Sequence, residues 1–134
     1  MIAPDTSVVV AAFATWHEGH RAAHAALSAD SRLPAHVATE TYSVLTRLPP
    51  PHRVSAEVVV GYLVEKFGEP WLTLSADEHS ALLREASGKG IAGGALYDAV
   101  VAATARHAGA TLLTRDRRAT RVYGALDVPF RFVT

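Results

Sequence analysis

The hydrophobic residues of this chain form short apolar runs that alternate with longer segments of helical spacing. The strand-like runs are residues 1–3, 71–74, 111–114 and 130–133. Strands that are separated by helices pair in parallel, and the helices then cover the faces of the sheet. The pattern therefore predicts an α/β fold, a three-layer α/β/α sandwich with a mainly parallel central sheet.

Local signals predict where the helices begin and end. The predicted helical segments are residues 7–14, 20–29, 37–48, 55–67, 75–87 and 95–107, and residues 33–35 form a short extended segment. Three prolines at residues 49–51 end the third helix, because proline lacks an amide hydrogen and fixes φ. Ser55 can cap the fourth helix, Ser75 and Glu78 have the spacing of a capping box, and Gly109 follows the sixth helix.

No repeat or linker divides the chain, so residues 1–134 are predicted to form a single domain.

The composition is that of a soluble globular protein. The chain has 134 residues, of which 49% are hydrophobic, and its 13 basic and 13 acidic residues cancel. No apolar run is long enough for a membrane span, and no signal-peptide layout precedes the first one. The absence of cysteine excludes disulfides and thiolate metal sites and suits a reducing compartment. We therefore expect a cytoplasmic protein without a membrane segment.

Four acidic residues are predicted to meet at one edge of the sheet. Asp5 directly follows the first strand, and Asp116 directly follows the strand before the last. Asp98 lies in the first turn of a helix that should begin at the same edge. In parallel α/β sheets, ligands bind just beyond the carboxyl ends of the strands. Glu40 is the fourth candidate, because it lies about 40° from Val44 on the helical wheel, beside the apolar stripe.

Four carboxylates at one edge would repel one another unless a cation lies between them. Hard divalent ions such as Mg²⁺ or Mn²⁺ take oxygen ligands, and such ions support phosphodiester hydrolysis by activating water. Taken singly, each acid also suits a structural role. An aspartate after a strand is commonly a turn or cap residue, Asp98 complements a helix dipole, and Glu40 could pair with Arg47. The joint placement of the four favours a metal site.

Four short motifs resemble the acidic blocks of PIN-domain nucleases. They are Asp-Thr-Ser at residues 5–7, Thr-Glu at 39–40, Tyr-Asp-Ala at 97–99 and Thr-Arg-Asp at 114–116. In order and overall length the chain is similar to the small VapC-type toxin ribonucleases of bacterial toxin–antitoxin pairs, and the resemblance covers essentially the whole chain. It implies metal-binding carboxylates and nearby hydroxyls at the following positions: Asp5, Glu40, Asp98 and Asp116 for the metal, and Thr6, Ser7 and Thr114 for the hydroxyls.

The resemblance also implies an activity and partners. Members of this family cleave RNA endonucleolytically with Mg²⁺ or Mn²⁺, by metal-activated water and without a covalent intermediate. They are frequently homodimers and are silenced by a cognate VapB-type antitoxin. For this chain the resemblance therefore implies an RNA substrate, an antitoxin partner and a homodimer.

This chain departs from the family pattern at two places. Pro4 stands where the family usually has a β-branched residue or leucine, and because proline removes a ladder donor the first strand is expected to end before Asp5. Arg117 and Arg118 stand where some relatives have another acid. The number of ligands for a second metal ion is therefore open.

Two clusters of basic residues add further candidates. Arg115, Arg117, Arg118 and Arg121 concentrate four cations in seven residues beside Asp116, either as a solvated helix face or as contacts to the RNA backbone. His17, His20 and His24 have spacings that would align them on one helical face. Zinc sites use such spacing, but no cysteine or HExxH motif completes the set, so a solvated face is the favoured interpretation.

Two other classes of function remain to be weighed against a nuclease. A non-catalytic PIN-like interaction module would keep the fold and bind a partner through it, although acids at all four positions argue against the loss of catalysis. A phosphotransferase of the haloacid-dehalogenase type would need an aspartate two residues after Asp5, and Ser7 stands there instead.

Overall fold

The computed structural model describes residues 1–134, and a three-stranded parallel sheet lies at its centre. The strands are β1 (Ile2–Pro4), β2 (Thr111–Thr114) and β3 (Phe130–Phe132), and they stand in the order β1-β2-β3. Ile2 pairs with Thr111 at the start of the first ladder, and Leu112 pairs with Phe130 at the start of the second. Because all the strands run in one direction, their carboxyl ends meet at one edge of the sheet.

Seven helices surround the sheet. They are α1 (Thr6–Phe13), α2 (His20–Ala26), α3 (Ala35–Thr46), α4 (Ala56–Lys66), α5 (Ala76–Gly88), α6 (Ala95–His107) and α7 (Arg117–Ala125). The predicted bounds of α6 are confirmed residue for residue. The predicted second helix is three residues too long at its end, and α3 begins and ends two residues before the predicted positions. The seventh helix follows Asp116. The sequence analysis predicted it only indirectly, as the solvated helix face that the arginine cluster could form.

Both faces of the central strand are covered, which makes the domain three layers thick. Leu112 and Leu113 point to opposite faces of the sheet, and both are 0% exposed. The predicted three-layer fold with a parallel sheet is therefore confirmed. Helix α6 is buried along most of its length through small residues such as Ala99 and Ala103, which explains why its sequence is nearly apolar all round.

No helix of the structure combines the length and the apolar character that a membrane crossing requires.

The predicted bounds of the first strand, residues 1–3, are wrong by one residue at each end: the strand runs from Ile2 to Pro4 and so ends before Asp5, as expected. Pro4 is part of β1 and pairs with Leu113, and the Asp5 amide donates to the Leu113 carbonyl at 2.9 Å. Since successive amides along a strand point to opposite sides, the Pro4 nitrogen faces away from β2. On that side β1 makes only an isolated bridge, between Ile2 and Ser31, so this proline removes no donor from the ladder with β2.

The predicted strand at residues 71–74 is also wrong. Leu72 forms a single parallel bridge with Pro34, made by two hydrogen bonds of 2.8 and 2.9 Å, and no longer ladder follows. The partner segment turns directly into α3 at Ala35, which leaves no further residue to pair. The expected extended segment at residues 33–35 is therefore reduced to this bridge.

The two predicted serine caps differ. Ser75 and Glu78 form the expected capping box, with the Glu78 amide donating to Ser75 Oγ at 3.1 Å and the Ser75 amide donating to Glu78 Oε1 at 2.8 Å. Ser55 stands at the N-cap of α4, but its hydroxyl makes no cap hydrogen bond. Gly109 follows α6 with a φ of +69°, a conformation that favours glycine at a helix end.

Candidate active site

The four predicted acids line one cavity of about 200 Å³ at the carboxyl edge of the sheet. Asp5 directly follows β1, and Asp116 follows β2 after one residue; β1 and β2 are neighbouring parallel strands. Asp98 comes from the first turn of α6, and Glu40 comes from the middle of α3. Two strand ends and two helices, which are far apart in sequence, thus bring four carboxylates to one place.

Asp5 is the most firmly held of the four acids. It is 4% exposed and stands at the N-cap of α1, where its Oδ1 accepts hydrogen bonds from the Ser7 hydroxyl and the Val8 amide. Its Oδ2 accepts a buried hydrogen bond of 2.8 Å from the hydroxyl of Tyr123. Burial raises the pKa of the Asp5 carboxyl, and these hydrogen bonds act in the opposite direction. The carboxylate is therefore fixed in one orientation by donors on α1 and α7.

Asp98 is the acid that responds most strongly to the others. Its pKa is raised to about 6, first by burial and then by the negative charges of Asp116, Glu40 and Asp5. The charge of Arg118 acts in the opposite direction. The charge of Arg118 is not enough to offset burial and the three neighbouring carboxylates, so protonation of Asp98 is favoured.

The carboxylates of Glu40 and Asp116 each accept a single hydrogen bond, whereas that of Asp5 accepts three. The Thr6 hydroxyl donates to Glu40 Oε1 at 3.0 Å, and His36 Nε2 lies 3.4 Å from the same oxygen without the alignment of a hydrogen bond. Asp116 is the N-cap of α7, and its Oδ1 accepts from the Arg118 amide at 2.9 Å. Each of these two acids keeps a carboxylate oxygen free of the contacts named here.

The donor chemistry of the cavity fits a hard divalent cation. All four groups are carboxylates, and the pKa of one of them is raised by burial and by the negative charges of the other three. No three acidic or histidine side chains converge closely enough to enclose an ion by themselves. Mg²⁺ typically keeps several waters and takes only one or two carboxylates directly, so a wider spacing is compatible with it.

The predicted hydroxyl residues divide into two groups. Thr6 and Ser7 line the cavity with the acids. Thr114 does not, because it is fully buried and its hydroxyl accepts from the Asp116 amide at 3.0 Å. Its position fixes the turn that carries Asp116, and a direct contact with substrate is not open to it.

The arginine cluster also divides. Arg117, Arg118 and Arg121 line a cavity of about 850 Å³ that shares Asp98 and Asp116 with the acidic cavity. The side chain of Arg115 turns away from them: it donates to the Val133 carbonyl at 3.0 Å and packs over Gly19, where a Cβ atom would lie 2.3 Å from Arg115 Cζ. Three of the four predicted cations therefore lie beside the acids.

The three histidines do not form one helical face. α2 begins at His20, and His17 precedes it, with its Nδ1 accepting from the Gly19 amide at 2.9 Å. His20 Nδ1 contacts the Ala11 carbonyl at 3.0 Å, and His24 is exposed. The favoured interpretation of this segment as one solvated helical face is therefore wrong, because His17 lies outside the helix and only His24 of the three is exposed.

Tyr123, Val101 and His36 also contribute to the site, and the sequence reasoning missed them. Tyr123 and Val101 line the acidic cavity, and His36 lies one helical turn before Glu40. A helical stripe through Ala119, Val122 and Tyr123 would have predicted a buried position for the tyrosine. Nothing local would have identified its partner Asp5, which lies 118 residues away.

The fold is that of a PIN domain. The PIN domain family matches residues 2–125, which is most of the chain, and the chain therefore belongs to that family. The prediction of family membership is confirmed.

Named relatives agree with this assignment. The chain is 53% identical to Ribonuclease VapC40 of Mycobacterium tuberculosis over 134 residues, which cover all of both proteins. It is 39% identical to Ribonuclease VapC27 of the same species over 128 residues, which cover 95% of this chain and 93% of that protein.

Solved structures share the fold at lower identity. The crystal structure of Mycobacterium tuberculosis VapC20, a sarcin-ricin loop cleaving toxin, has a TM-score of 0.72 at 19% identity, covering 90% of this chain and 94% of that one. FitAcB from Neisseria gonorrhoeae has a TM-score of 0.71 at 24% identity, covering 97% and 96%. DNA-bound VapBC from Salmonella typhimurium has a TM-score of 0.70 at 16% identity, covering 98% and 96%.

Proposed function

We propose that this chain is a divalent-metal-dependent endoribonuclease, the toxin of a VapBC-type toxin–antitoxin pair. The observation that carries the proposal is the single cavity in which Asp5, Glu40, Asp98 and Asp116 meet at the carboxyl edge of the sheet. The 53% identity to a protein named Ribonuclease VapC40, over the whole of both chains, supports RNA as the substrate.

The residues of the cavity take distinct roles in this proposal. When bound, Mg²⁺ or Mn²⁺ supplies a Lewis acid and an activated water for phosphodiester hydrolysis. Asp5, Asp98 and Asp116 hold the ion. Glu40 acts as a further ligand or orients the water, and the hydrogen bond from Thr6 fixes its carboxylate for either task. No residue of this chain forms a covalent bond to the substrate.

The arginine cavity extends the acidic cavity toward the RNA backbone. The three arginines belong to the first half of α7, the helix that Asp116 caps. Arg117, Arg118 and Arg121 line one cavity together with Asp98 and Asp116. Their cations offset the negative potential of the four acids, which would otherwise repel a polyanionic substrate. We assign these three residues to phosphates that flank the scissile bond.

We further propose that a cognate antitoxin and a second copy of the chain are its protein partners. An antitoxin that inserts an arginine among the four acids would block the cavity, because a guanidinium forks onto carboxylates through paired donors. Expression of the chain alone should arrest growth, and co-expression with an antitoxin should relieve the arrest. Harmless expression of the folded chain would instead favour a non-catalytic interaction module.

An RNA cleavage assay tests the proposal directly. Cleavage of total RNA by the purified chain should require Mg²⁺ or Mn²⁺, disappear with EDTA and return when either ion is added. Asp98→Asn should abolish cleavage. Asp30→Asn, which changes an exposed aspartate away from the cavity, is the matched control and should cleave normally.

The histidine segment provides a second arm of this assay. A His17/His20/His24→Ala variant should retain cleavage, because none of these histidines lines the acidic cavity. If that variant lost both bound metal and cleavage while Asp98→Asn kept them, the metal site would have been assigned to the wrong cluster.

A further inference from the structure

An exposed aromatic ring stands directly beside the acidic cavity. Tyr97 precedes Asp98 in the first turn of α6 and is 56% exposed, the largest fraction among the exposed large hydrophobic residues of the chain. Its ring is stacked on the imidazole of His36, with a centroid distance of 5.6 Å and an interplanar angle of 5°. His36 in turn lies one helical turn before Glu40 on α3, and its Nε2 is 3.4 Å from the Glu40 carboxylate. The stacked pair therefore joins the two helices that supply Asp98 and Glu40.

A separate cavity of about 340 Å³ lies on the other side of this pair. Residues of α3 and α6 line the two cavities in consecutive pairs, in which the first member faces the new cavity and the second faces the acids. The pairs are Thr39 and Glu40, Tyr97 and Asp98, and Val100 and Val101. The two cavities are thus adjacent and share α3 and α6 as a common wall.

The chemistry of the new cavity is mixed in the way that a nucleobase requires. Tyr97 and His36 present flat aromatic rings, and Leu72 and Leu74 contribute apolar surface. The Thr73 hydroxyl and the His79 imidazole provide hydrogen-bond donors and acceptors beside them, whereas the hydroxyls of Thr39 and Thr104 donate to carbonyls of their own helices. Its volume lies within the range of about 300–1,000 Å³ that is typical of small-ligand pockets. A single-stranded RNA base has a face that stacks on aromatic rings and an edge that makes hydrogen bonds.

We propose that Tyr97, supported by His36, is a stacking platform for one base of a single-stranded RNA substrate, next to the nucleotide whose phosphate is cleaved. The inference rests on the proposed ribonuclease function and adds to it the part of the substrate that is recognised. The acidic cavity and the arginine cavity together address the phosphate backbone, whereas this platform addresses a base. Stacking tolerates any base and favours unpaired ones, so the platform selects loops and single strands over duplex RNA.

RNA binding by non-cleaving protein is the measurement that decides the inference. The Asp98→Asn variant is titrated into a labelled single-stranded RNA of mixed sequence, and fluorescence anisotropy gives Kd. Adding Tyr97→Leu should weaken binding roughly tenfold, because a base stacked on an aromatic ring contributes substantially to the affinity for a single strand. Tyr97→Phe keeps the ring and should bind like the parent. Tyr42→Leu removes another exposed tyrosine, on α3 and outside both cavities, and is the matched control.

Abasic RNA identifies the contact as stacking. With single abasic nucleotides placed in turn on either side of the position that the wild type cuts, one abasic position should reproduce the loss caused by Tyr97→Leu. Combining that RNA with Tyr97→Leu should cause no further loss, since both changes remove the same interaction. Additive losses at every abasic position would overturn the inference.

The remaining outcomes separate this inference from the function on which it rests. If the Asp98→Asn protein binds no RNA and the wild type cleaves none, the proposed function fails together with the platform. If RNA is bound and cleaved but Tyr97→Leu has no effect, only the platform is refuted. Unchanged RNA binding together with a smaller mass of the Tyr97→Leu protein in light scattering would assign the ring to a protein contact instead.

Discussion

Replacing Asp98 by asparagine should stabilise the protein in metal-free buffer while it abolishes catalysis. The pKa of the Asp98 carboxyl rises from an ordinary value of 3.8 to about 6 in the folded chain, because the group is partly buried and faces the charges of Asp116, Glu40 and Asp5. Asparagine is nearly isosteric with aspartate and removes the charge. The substitution therefore removes a repulsion that is present only in the folded state.

The size of the effect follows from linkage. The difference between 3.8 and about 6 corresponds to about 3 kcal/mol at a pH where the carboxylate is fully ionised. Asp98 is only partly buried, and solvent screening reduces this value, so we expect about 1–1.5 kcal/mol. In a domain of 134 residues this gain corresponds to a rise in Tm of about 3–6 °C.

The pH dependence has a definite sign. The folded state holds the Asp98 proton more tightly than the unfolded state, so the free energy of unfolding decreases as pH rises from about 4 to about 6. Well above pH 6 the full penalty is present, and below about pH 3 the group is protonated in both states and the penalty is absent. The stability difference between Asp98→Asn and the wild type should therefore be greatest near pH 7.5 and should approach zero near pH 3.

Urea or thermal unfolding with EDTA at several pH values measures this difference. Asp30→Asn, at an exposed loop position, should unfold like the wild type throughout. Adding Mg²⁺ should raise the Tm of the wild type more than that of Asp98→Asn, because an ion that binds only the folded state stabilises it. If Asp98→Asn were less stable than the wild type at pH 7.5 without metal, the electrostatic description of the cavity would be refuted.

Two further substitutions test the neighbours of the acids. Tyr123→Phe removes the donor to Asp5 Oδ2. It should lower the free energy of unfolding by about 1.5–3 kcal/mol and weaken Mn²⁺ binding. Unchanged urea unfolding and an unchanged Mn²⁺ titration would show that the hydrogen bond has no effect on the carboxylate. Replacing Arg117, Arg118 and Arg121 together by glutamine should weaken RNA binding broadly and reduce the slope of log affinity against log salt by about 2, at about 0.7 per phosphate for single strands, without moving the cleavage position. An unchanged affinity and slope in filter-binding titrations would mean that these arginines are only a solvated helix face.

Some features of this protein were determined by short stretches of sequence. The bounds of α6, the strand at Thr111–Thr114 and the capping box of Ser75 and Glu78 all follow from signals within about a dozen residues. Secondary structure that depends on such local preferences can be predicted from the sequence alone. The meeting of Asp5 and Asp116 could also be predicted, since residues that follow neighbouring parallel strands must lie at one edge of the sheet.

Other features depended on partners that the sequence does not indicate. Residues 71–74 have the composition of a strand but form only one bridge, because the partner segment turns into α3. Pro4 continues β1 because its nitrogen faces away from β2, on the side where β1 makes only one bridge. The side on which a strand pairs is known only when the sheet is assembled.

The electrostatic character of the site was likewise decided by the tertiary structure. The hydrogen bond from Tyr123 to Asp5 and the stack of Tyr97 on His36 each join segments that are far apart in the chain. The raised pKa of Asp98 needs both its burial and the approach of three other carboxylates from β1, β2 and α3. Burial and distance between charges are properties of the packed chain, so the sequence could predict which acids meet, while only the tertiary structure could determine how strongly they act on one another.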